Sequence, residues 1–443
     1  MTRRLALLAL SAVTSACVPA AGVAVTDLQP TDLDALSADE VAADRVVVCM
    51  EDGADARQVV GSAGLRVLRD DAGCALVEAK GDVRATVGLL RDLPGVAQAD
   101  PDVLYFPTRI DTPVVDPGLS LQWNLDAIHA SAAWERGATG QDVVVAVVDT
   151  GFVYGGIDAP TLIDGYDAVD NDADPSDTTS GFSHGTHVAG TVAQRANTGV
   201  GYSGVAYDAV VMPIRVGDET GMPAYAIGAG IRYAVDNGAD VINLSLGGDS
   251  RSPVIESAVA YAVEAGVIVV AASGNDAYDD KVSYPAAYDG VIAVGATNRR
   301  NHQASYSNGG AALDIVAPGG DCYLPTPTLQ IVITDVDEDD APECIVQESS
   351  NHRGFAGGVL RDERVAYDGP DSMGFVFAQG TSMSSPHVAG VAALLISAGA
   401  DPADVPALLM DTARDLGDAG WDSVYGAGLV DAGAAVAAIG SVR

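Results

Sequence analysis

Positive charge is scarce in this 443-residue chain, which has 23 lysines and arginines against 61 aspartates and glutamates. Lysine occurs only at Lys80 and Lys281, and the formal net charge is −38 at pH 7. A surface of that sign repels nucleic-acid phosphates and anionic membranes, so we exclude both as partners. It would attract divalent cations, although we interpret most of the carboxylates as a solvated exterior.

Long hydrophobic runs are also missing beyond the N-terminus, so no later segment is expected to cross a membrane. The chain begins MTRRLALLALSAVTSAC, in which Arg3 and Arg4 precede an apolar run too short to span a bilayer. Small residues follow this run. The pattern predicts a secretory signal peptide at residues 1–20 and a secreted, extracellular protein.

Cys17 leaves two outcomes open for this signal. It resembles the lipid-acceptor cysteine of bacterial lipoproteins, although Thr14 stands where that motif usually has leucine. Lipidation of Cys17 would hold the precursor at the cell envelope and would be its one link to a membrane. The alternative is ordinary cleavage near Ala16 or Ala20.

Cysteine is rare, with five residues in the whole chain. Four remain once Cys17 is set aside, and their spacing matches no zinc site: Cys49, Cys74, Cys322 and Cys344. Export permits disulfides. We expect a bridge between Cys322 and Cys344.

Changes in composition divide the chain into segments. Residues 21–44 are acidic, poor in aromatics and predicted to be a linker. Residues 45–107 follow the order βαββαβ, which is typical of a small ferredoxin-like α+β domain. Residues 108–120 continue a proline-bearing stretch, PTRIDTPVVDPG, and predict a second linker.

Residues 121–443 alternate strands and helices. Apolar runs such as DVVVAVVDT and GVIVVAASG lack polar alternation, which indicates strands buried on both faces of a parallel sheet. Helical segments lie between them, so the fold class is α/β with a doubly wound, mostly parallel sheet. Residues 321–372 interrupt this pattern and predict an insertion of irregular and β structure.

The stretch FAQGTSMSSPHVAG concentrates hydroxyls at the start of a predicted helix. Serine and threonine are common helix caps, so a structural role explains most of them. The alternative is a nucleophile at Ser382, where the helix dipole favours a developing negative charge. We interpret Thr381, Ser384 and Ser385 as structural.

Three other residues could complete a catalytic site. Asp149 ends a buried strand, His184 lies in GFSHGTHVAGTV, and Asn275 follows another strand in AASGND. Taken singly, each has an ordinary structural explanation: a turn cap, a buried histidine, a turn residue. A zinc site built on His184 and His187 lacks the glutamate of the HExxH signature, so we predict no catalytic metal.

The order Asp149, His184, Asn275, Ser382 closely resembles the subtilisin-like serine endopeptidases over residues 122–439. Five motifs carry the resemblance: VVDTG, HGTHVAG, SLGG, SGN and GTSMSSPHVAG. It implies that Ser382 attacks the peptide carbonyl, His184 moves the proton and Asp149 orients His184. Asn275 and the backbone N–H of Ser382 would bind the oxyanion.

The resemblance also implies a substrate cleft for proteins or peptides. Ser245, Leu246 and Gly247 would line one side and Gly221 the other, with Ser283 at the base of the first pocket, where the family often has glycine. We expect a monomer. Two alternatives stay open: a processing protease with narrow specificity, and a catalytically silent scaffold that binds peptides.

Residues 45–107 resemble the inhibitory propeptide of this family, whose C-terminal tail occupies the active site. The chain's own propeptide is therefore an expected partner, removed by cleavage within 108–120. We expect the first and third strands of this unit to run parallel, with Cys49 and Cys74 several residues apart. On that basis no disulfide joins them.

Calcium is the expected structural cofactor. The stretch DGYDAVDNDADPSD places oxygen ligands at alternating positions and resembles a calcium loop of thermitase-like members of the family. The predicted ligands there are Asp167, Asp170, Asp172 and Asp174. Asp158 matches a ligand of a second calcium site in the family, although Thr198 stands where that site usually has asparagine.

Overall fold

The computed structural model of the chain describes residues 41–51, 53–71, 74–103, 114–179, 182–218, 220–321, 344–350 and 373–439. The predicted signal peptide, Cys17, most of the predicted 21–44 linker and Cys322 lie outside these ranges. The chain divides into two compact units, residues 1–109 and 110–443. No helix of the described ranges is long and apolar enough to cross a membrane.

The first unit has the predicted βαββαβ order. Its elements are β1 (Val41–Met50), α1 (Ala56–Ser62), β2 (Arg66–Asp71), β3 (Cys74–Glu78), α2 (Val83–Arg91) and β4 (Val96–Val103). The sheet has the order β2-β3-β1-β4. Alternate residues of β3 are buried, which is the pattern of a sheet with one face on a core. Val87 and Leu90 of α2 belong to that core.

The prediction about Cys49 and Cys74 is wrong, because the structure joins them in a disulfide. β1 pairs with β3 in the antiparallel sense, and the register sets Cys49 directly opposite Cys74 with their Cα atoms 3.9 Å apart. The error lay in the strand direction. A helix between β1 and β2 lets these two strands run the same way, and the hairpin between β2 and β3 then reverses β3.

The second unit is an α/β domain with the predicted parallel sheet. Its first strands are β5 (Val144–Asp149), β6 (Thr161–Leu162), β7 (Tyr166–Asp167) and β8 (Val210–Arg215). They are followed by β9 (Val241–Leu244), β10 (Ile268–Ala272), β11 (Val291–Thr297) and β12 (Ile315–Pro318). The strand order is β12-β11-β10-β9-β5-β8-β6, with β7 also paired to β8, and every pairing is parallel.

Helices cover both faces of this sheet. They are α3 (Trp123–Ala127), α4 (Ala130–Glu135), α5 (His184–Ala193), α6 (Ala224–Asp236), α7 (Pro253–Glu264), α8 (Thr381–Ser397), α9 (Val405–Asp411) and α10 (Ala432–Ala437). Alternate residues of β5 enter two separate cores, Val145 and Val147 on the side of α5 and α8, and Ala146 and Val148 on the side of α6 and α7. Burial on both faces explains the unbroken apolar runs.

The order of the strands fixes where a site can form. After β5 the chain adds β6, β7 and β8 on one side and then crosses to β9 on the other side of β5. Ligands of open α/β sheets bind at the carboxyl ends of strands beside such a reversal. The ends of β5 and β9 are therefore the expected position for the functional residues.

Of the predicted insertion at 321–372, the structure describes residue 321 and residues 344–350. The insertion contains β13 (Ile345–Ser350), which pairs in the antiparallel sense with β14 (Met373–Ala378), the strand that leads into α8. Cys344, at the start of β13, is buried and disulfide-bonded. Its predicted partner, Cys322, lies outside the described residues.

Candidate active site

Asp149 is the last residue of β5 and is completely buried. Its Oδ1 accepts hydrogen bonds from the backbone N–H of Thr150 and from Nδ1 of His184, both at 2.7 Å. A buried carboxylate is expensive unless hydrogen bonds stabilise it. The strand end therefore holds a carboxylate whose orientation is fixed and whose partner is an imidazole.

His184 is the first residue of α5. Ser183 caps this helix by accepting from the N–H of Thr186. Gly185 is required by the close approach of helix and strand, because a Cβ there would lie 2.2 Å from the carbonyl oxygen of Gly151. The glycine after His184 thus allows helix and strand to approach closely enough for the imidazole to bond with Asp149.

The surroundings of His184 favour its protonated form. Burial lowers the pKa of the imidazole, but the charge and hydrogen bond of Asp149, together with the charge of Asp177, outweigh it and raise the pKa above 6.5. The ring keeps a quarter of its surface exposed. It can therefore meet a ligand while it remains bound to Asp149.

His187 has a different environment from His184, although one helical turn separates them. It is fully buried, and its Nε2 bonds with the carbonyl oxygen of Val376 at 3.1 Å. Burial, followed by the repulsion of His184, lowers the pKa of His187 to about 3, so the ring is neutral. The two histidines bind separate partners and do not share a site.

Ser382 lies in the first turn of α8, two residues after Gly380. The φ of Gly380 is 146°, a value that residues with a side chain rarely adopt. Pro386 has no N–H to donate to the carbonyl of Ser382 four residues earlier. The hydroxyl of Ser245 donates to that carbonyl instead, at 2.8 Å. The Ser382 hydroxyl itself donates to the carbonyl oxygen of Ser245 at 3.2 Å. Two hydrogen bonds therefore hold Ser382 against Ser245, the residue that follows β9.

Asn275 follows β10 and is held by Thr381. Its Oδ1 accepts from the backbone N–H and from the hydroxyl of Thr381, both at 2.9 Å. Since the oxygen is engaged there, the Nδ2 group is directed elsewhere. A Cβ placed on Gly380 would lie 3.5 Å from Asn275 Nδ2 and 3.6 Å from the backbone nitrogen of Ser382. A side chain at position 380 would therefore be in van der Waals contact with both nitrogens.

These residues line one cleft with a volume of about 1100 Å³. The wall contains His184, Asn275 and Ser382, and also the predicted substrate residues Ser245, Leu246, Gly247 and Gly221. Ser283 is buried behind that wall. A Cβ on Gly247 would lie 3.3 Å from its Cβ, and its Oγ accepts from Nδ2 of Asn308.

The predicted calcium loop is organised around a guanidinium group. Arg215 is buried, and its Nη1 donates to Asp167 Oδ2 at 2.5 Å and to Asp170 Oδ2 at 3.1 Å. Asp172 and Asp174 are exposed and accept bonds from within the loop. Among the described residues, no three acidic, histidine or cysteine side chains form a group that could hold a metal.

Asp158, the predicted ligand of the second calcium site, is completely buried. Its Oδ1 accepts from the hydroxyl of Thr198 at 2.8 Å, and its Oδ2 accepts from Gln194 Nε2 at 2.5 Å and from the backbone N–H of Tyr202 at 3.0 Å. Neutral donors thus contact both oxygens. Calcium binding at Asp158 stays a prediction.

Sequence reasoning missed several supporting residues. Asn243 lies inside β9, fully buried, and links the hydroxyls of Ser385 and Ser245 through bonds of 2.7 and 2.9 Å. A lone asparagine in an apolar strand was a detectable signal. Thr150 and Asp177 gave no such signal, because their contact depends on how a loop returns to the end of β5.

Comparison with known proteins agrees with this geometry. The model of the subtilase family matches residues 140–428. The chain belongs to the subtilase family. Subtilisin BL from Lederbergia lenta is 38% identical over 319 residues, which cover 71% of this chain and 98% of that protein.

Two solved structures are similar to the chain. A protease from Pseudoalteromonas arctica has a TM-score of 0.62 and 34% identity, covering 74% of this chain and 100% of that one. Fervidolysin from Fervidobacterium pennivorans, a keratinolytic enzyme related to subtilisin, has a TM-score of 0.57 and 28% identity, covering 91% of this chain and 62% of that one. This subtilase is a serine-type endopeptidase, and its substrates are proteins.

Proposed function

We propose that Ser382, His184 and Asp149 are the catalytic triad of this subtilase. The observation that carries the assignment is the 2.7 Å bond between His184 Nδ1 and Asp149 Oδ1, in the cleft that Ser382 also lines. Asp149 keeps the proton on Nδ1, so that Nε2 can act as a base. In the reaction the Ser382 hydroxyl would exchange its bond to Ser245 for one to Nε2.

In the proposed reaction, Ser382 Oγ forms a bond with the peptide carbonyl carbon while its proton passes to His184 Nε2. The carbonyl oxygen becomes an anion and accepts bonds from Asn275 Nδ2 and the Ser382 backbone N–H. The C–N bond then breaks as His184 returns the proton to the leaving amine. In the second half a water oxygen bonds to the acyl carbon while His184 takes a proton from the water. The bond to Ser382 Oγ then breaks as His184 returns the proton to it, which releases the acid.

The test of the triad compares two serines of one motif. Ser382→Ala should abolish peptidase activity and labelling by a fluorophosphonate while the protein remains folded. Ser384→Ala is the matched control, because the Ser384 hydroxyl is buried without a hydrogen-bond partner among the described residues. The control should keep both activity and labelling. Hydrolysis by the Ser382→Ala variant would contradict the assignment. A parent protein that the fluorophosphonate does not label would contradict it too, and would favour a catalytically silent scaffold.

We further propose a broad specificity with a restricted first pocket. The peptide would add to the cleft as a strand held by main-chain bonds, which recognise little of its sequence. Ser245, Leu246 and Gly247 would form one edge, and Gly221 the other. Ser283 supports the restriction, because its side chain lies against Gly247. Ser283→Gly should therefore increase kcat/KM for peptides with a large aromatic residue before the cleaved bond more than for those with alanine.

We also propose that the protein is exported as a precursor with residues 45–107 as an inhibitory propeptide. Two observations support this: the separate βαββαβ unit, and a likeness to fervidolysin that covers more of the chain than the second unit alone. Cleavage within 108–120 would release the enzyme, and a lipid on Cys17 would stay with the propeptide. Mass spectrometry of the secreted product gives its N-terminus. A Ser382→Ala precursor that is still cleaved in this segment would show that another protease acts there.

Calcium remains a proposal for the loop 164–177. It rests on the resemblance of the loop and on three exposed carboxylates, Asp170, Asp172 and Asp174. Hydrogen bonds from Ser176 lower the pKa of Asp174, so this group is ionised and able to bind a cation. Asp167 is already paired with Arg215. Any ion here would be bound at the loop surface, where hard oxygen ligands stabilise the turn and take no part in the reaction.

A further inference from the structure

Asp177 is a second carboxylate close to the Asp149–His184 pair. Its Oδ2 accepts from the hydroxyl of Thr150 at 2.6 Å and from the hydroxyl of Ser183 at 2.5 Å. Its Oδ1 accepts from the backbone N–H two residues further on, at 2.8 Å. Thr150 directly follows Asp149, and Ser183 directly precedes His184. One carboxylate therefore joins the residue after the acid to the residue before the base.

Further bonds make this junction rigid. The hydroxyl of Thr150 accepts from the backbone N–H of Gly185 at 3.0 Å, which ties the strand end to the first turn of α5. The backbone N–H of Asp177 donates to the carbonyl of Phe152 at 3.0 Å, so the loop that carries the carboxylate is anchored to the chain just after β5. Strand, helix and loop thus meet at Asp177 through bonds that do not involve substrate.

We propose that Asp177 is a positioning residue that sets the His184 imidazole against Asp149 and stabilises its positive charge during the reaction. The inference rests on the proposed triad. Asp177 acts through Thr150 and Ser183 and would not touch the substrate. Its nearness matters because His184 gains a proton in each transition state, and a negative charge behind the ring favours that state.

Three titratable groups interact electrostatically with the His184 ring: Asp149 on β5, Asp177 on the loop and His187 on the same helix. Burial lowers the pKa of His184, and the two carboxylates raise it in the order Asp149, then Asp177. His187 is neutral above a pH of about 3 and does not oppose them in the working range. Removing the charge of Asp177 must therefore lower the pKa of His184.

The experiment measures kcat and KM against pH for Asp177→Asn, with Asp164→Asn as the control for loss of one exposed charge nearby. Activity requires neutral His184, so a lower pKa moves the acidic limb of kcat/KM to lower pH, on the order of half a pH unit. We expect that shift together with a several-fold lower plateau. The acidic limb of kcat/KM should lie at the same pH in Asp164→Asn as in the parent. Acidic limbs at the same pH in Asp177→Asn and Asp164→Asn would overturn the inference.

Thr150→Val separates position from charge and serves as the test if Asp177→Asn does not fold. It removes the hydroxyl link and keeps the carboxylate, so kcat should fall about tenfold while the acidic limb of kcat/KM stays at the parent pH. Thr150→Ser keeps the hydroxyl and should restore kcat. An unchanged kcat in Thr150→Val would overturn the positioning role. Fluorophosphonate labelling of the parent distinguishes the two proposals. An unlabelled parent contradicts the triad, whereas a labelled, active parent with an unshifted acidic limb in Asp177→Asn contradicts only the role of Asp177.

Discussion

The backbone N–H and the hydroxyl of Thr381 both donate to Oδ1 of Asn275, each at 2.9 Å. The residue before the proposed nucleophile thereby orients the amide that would bind the oxyanion. A threonine that looks like a helix cap in the sequence has a second function here. The two proposed oxyanion donors, Asn275 Nδ2 and the Ser382 N–H, are therefore linked through the same turn of the chain.

This contact makes Thr381 a specific target for mutation. Asn275→Ala should lower kcat by about 10²–10³, a magnitude already known from a subtilisin for loss of such a donor. Thr381→Val removes one of the two bonds that hold Asn275 and should lower kcat by about tenfold with little change in KM, because the oxyanion forms only in the transition state. Thr381→Ser keeps the hydroxyl and is the control. Steady-state kinetics on one peptide substrate, normalised by active-site titration, gives the comparison.

Gly380 tests whether the space between those donors must remain empty. A Cβ there would lie 3.5 Å from Asn275 Nδ2, 3.6 Å from Ser382 N and 3.7 Å from Asn275 Oδ1, beside the two proposed oxyanion donors. Gly380→Ala should therefore lower kcat by at least ~10². Gly399→Ala is the matched control, since Gly399 also has a positive φ (93°) but nothing within 4 Å of its Cβ position. Equal effects of the two substitutions on kcat would mean that backbone strain alone, and no blocked site, explains the loss.

The pKa of His184 predicts the acidic limit of activity. Burial lowers this pKa, but Asp149 and Asp177 raise it above 6.5. Because the protonated imidazole cannot accept the Ser382 proton, kcat/KM should be lost as the pH falls through a midpoint above 6.5. Titration of kcat/KM between pH 5 and 9 at constant ionic strength measures the midpoint. A value below 6.5 would mean that burial outweighs the carboxylates.

The sequence was sufficient for features that depend on local pattern. Apolar runs without alternation predicted the parallel sheet, and each proposed catalytic residue was found from a short motif at the end of a strand or the start of a helix. Features that depend on the relative direction of two strands, or on contacts between segments distant in sequence, were not predictable in this way. The disulfide of Cys49 and Cys74 was missed because its strands are antiparallel, and the contact of Asp177 with Thr150 because it crosses between a loop and a strand.

Arg215 was also missed, since its partners lie 45 and 48 residues away in the chain. It should be a larger contributor to stability than any exposed acid of the loop. Arg215→Met leaves Asp167 buried without its cation and should lower the free energy of unfolding by about 3 kcal/mol, as is typical when one partner of a buried ion pair is removed. Asp170→Asn changes an exposed partner and should cost under about 1 kcal/mol. Chemical denaturation of the Ser382→Ala protein, which avoids autolysis, compares them.

Calcium binding by the loop is the remaining prediction. An ion that binds only the folded state stabilises it by about 2.7 kcal/mol at a hundredfold excess over Kd. Chelation should therefore lower the thermal inactivation midpoint and speed autolysis, and Asp170→Ala combined with Asp172→Ala should remove most of this sensitivity. Asp164→Asn, an exposed acid outside the proposed ligand set, should keep it. Inactivation that is the same with and without chelator, together with no calcium by elemental analysis, would discard the calcium site.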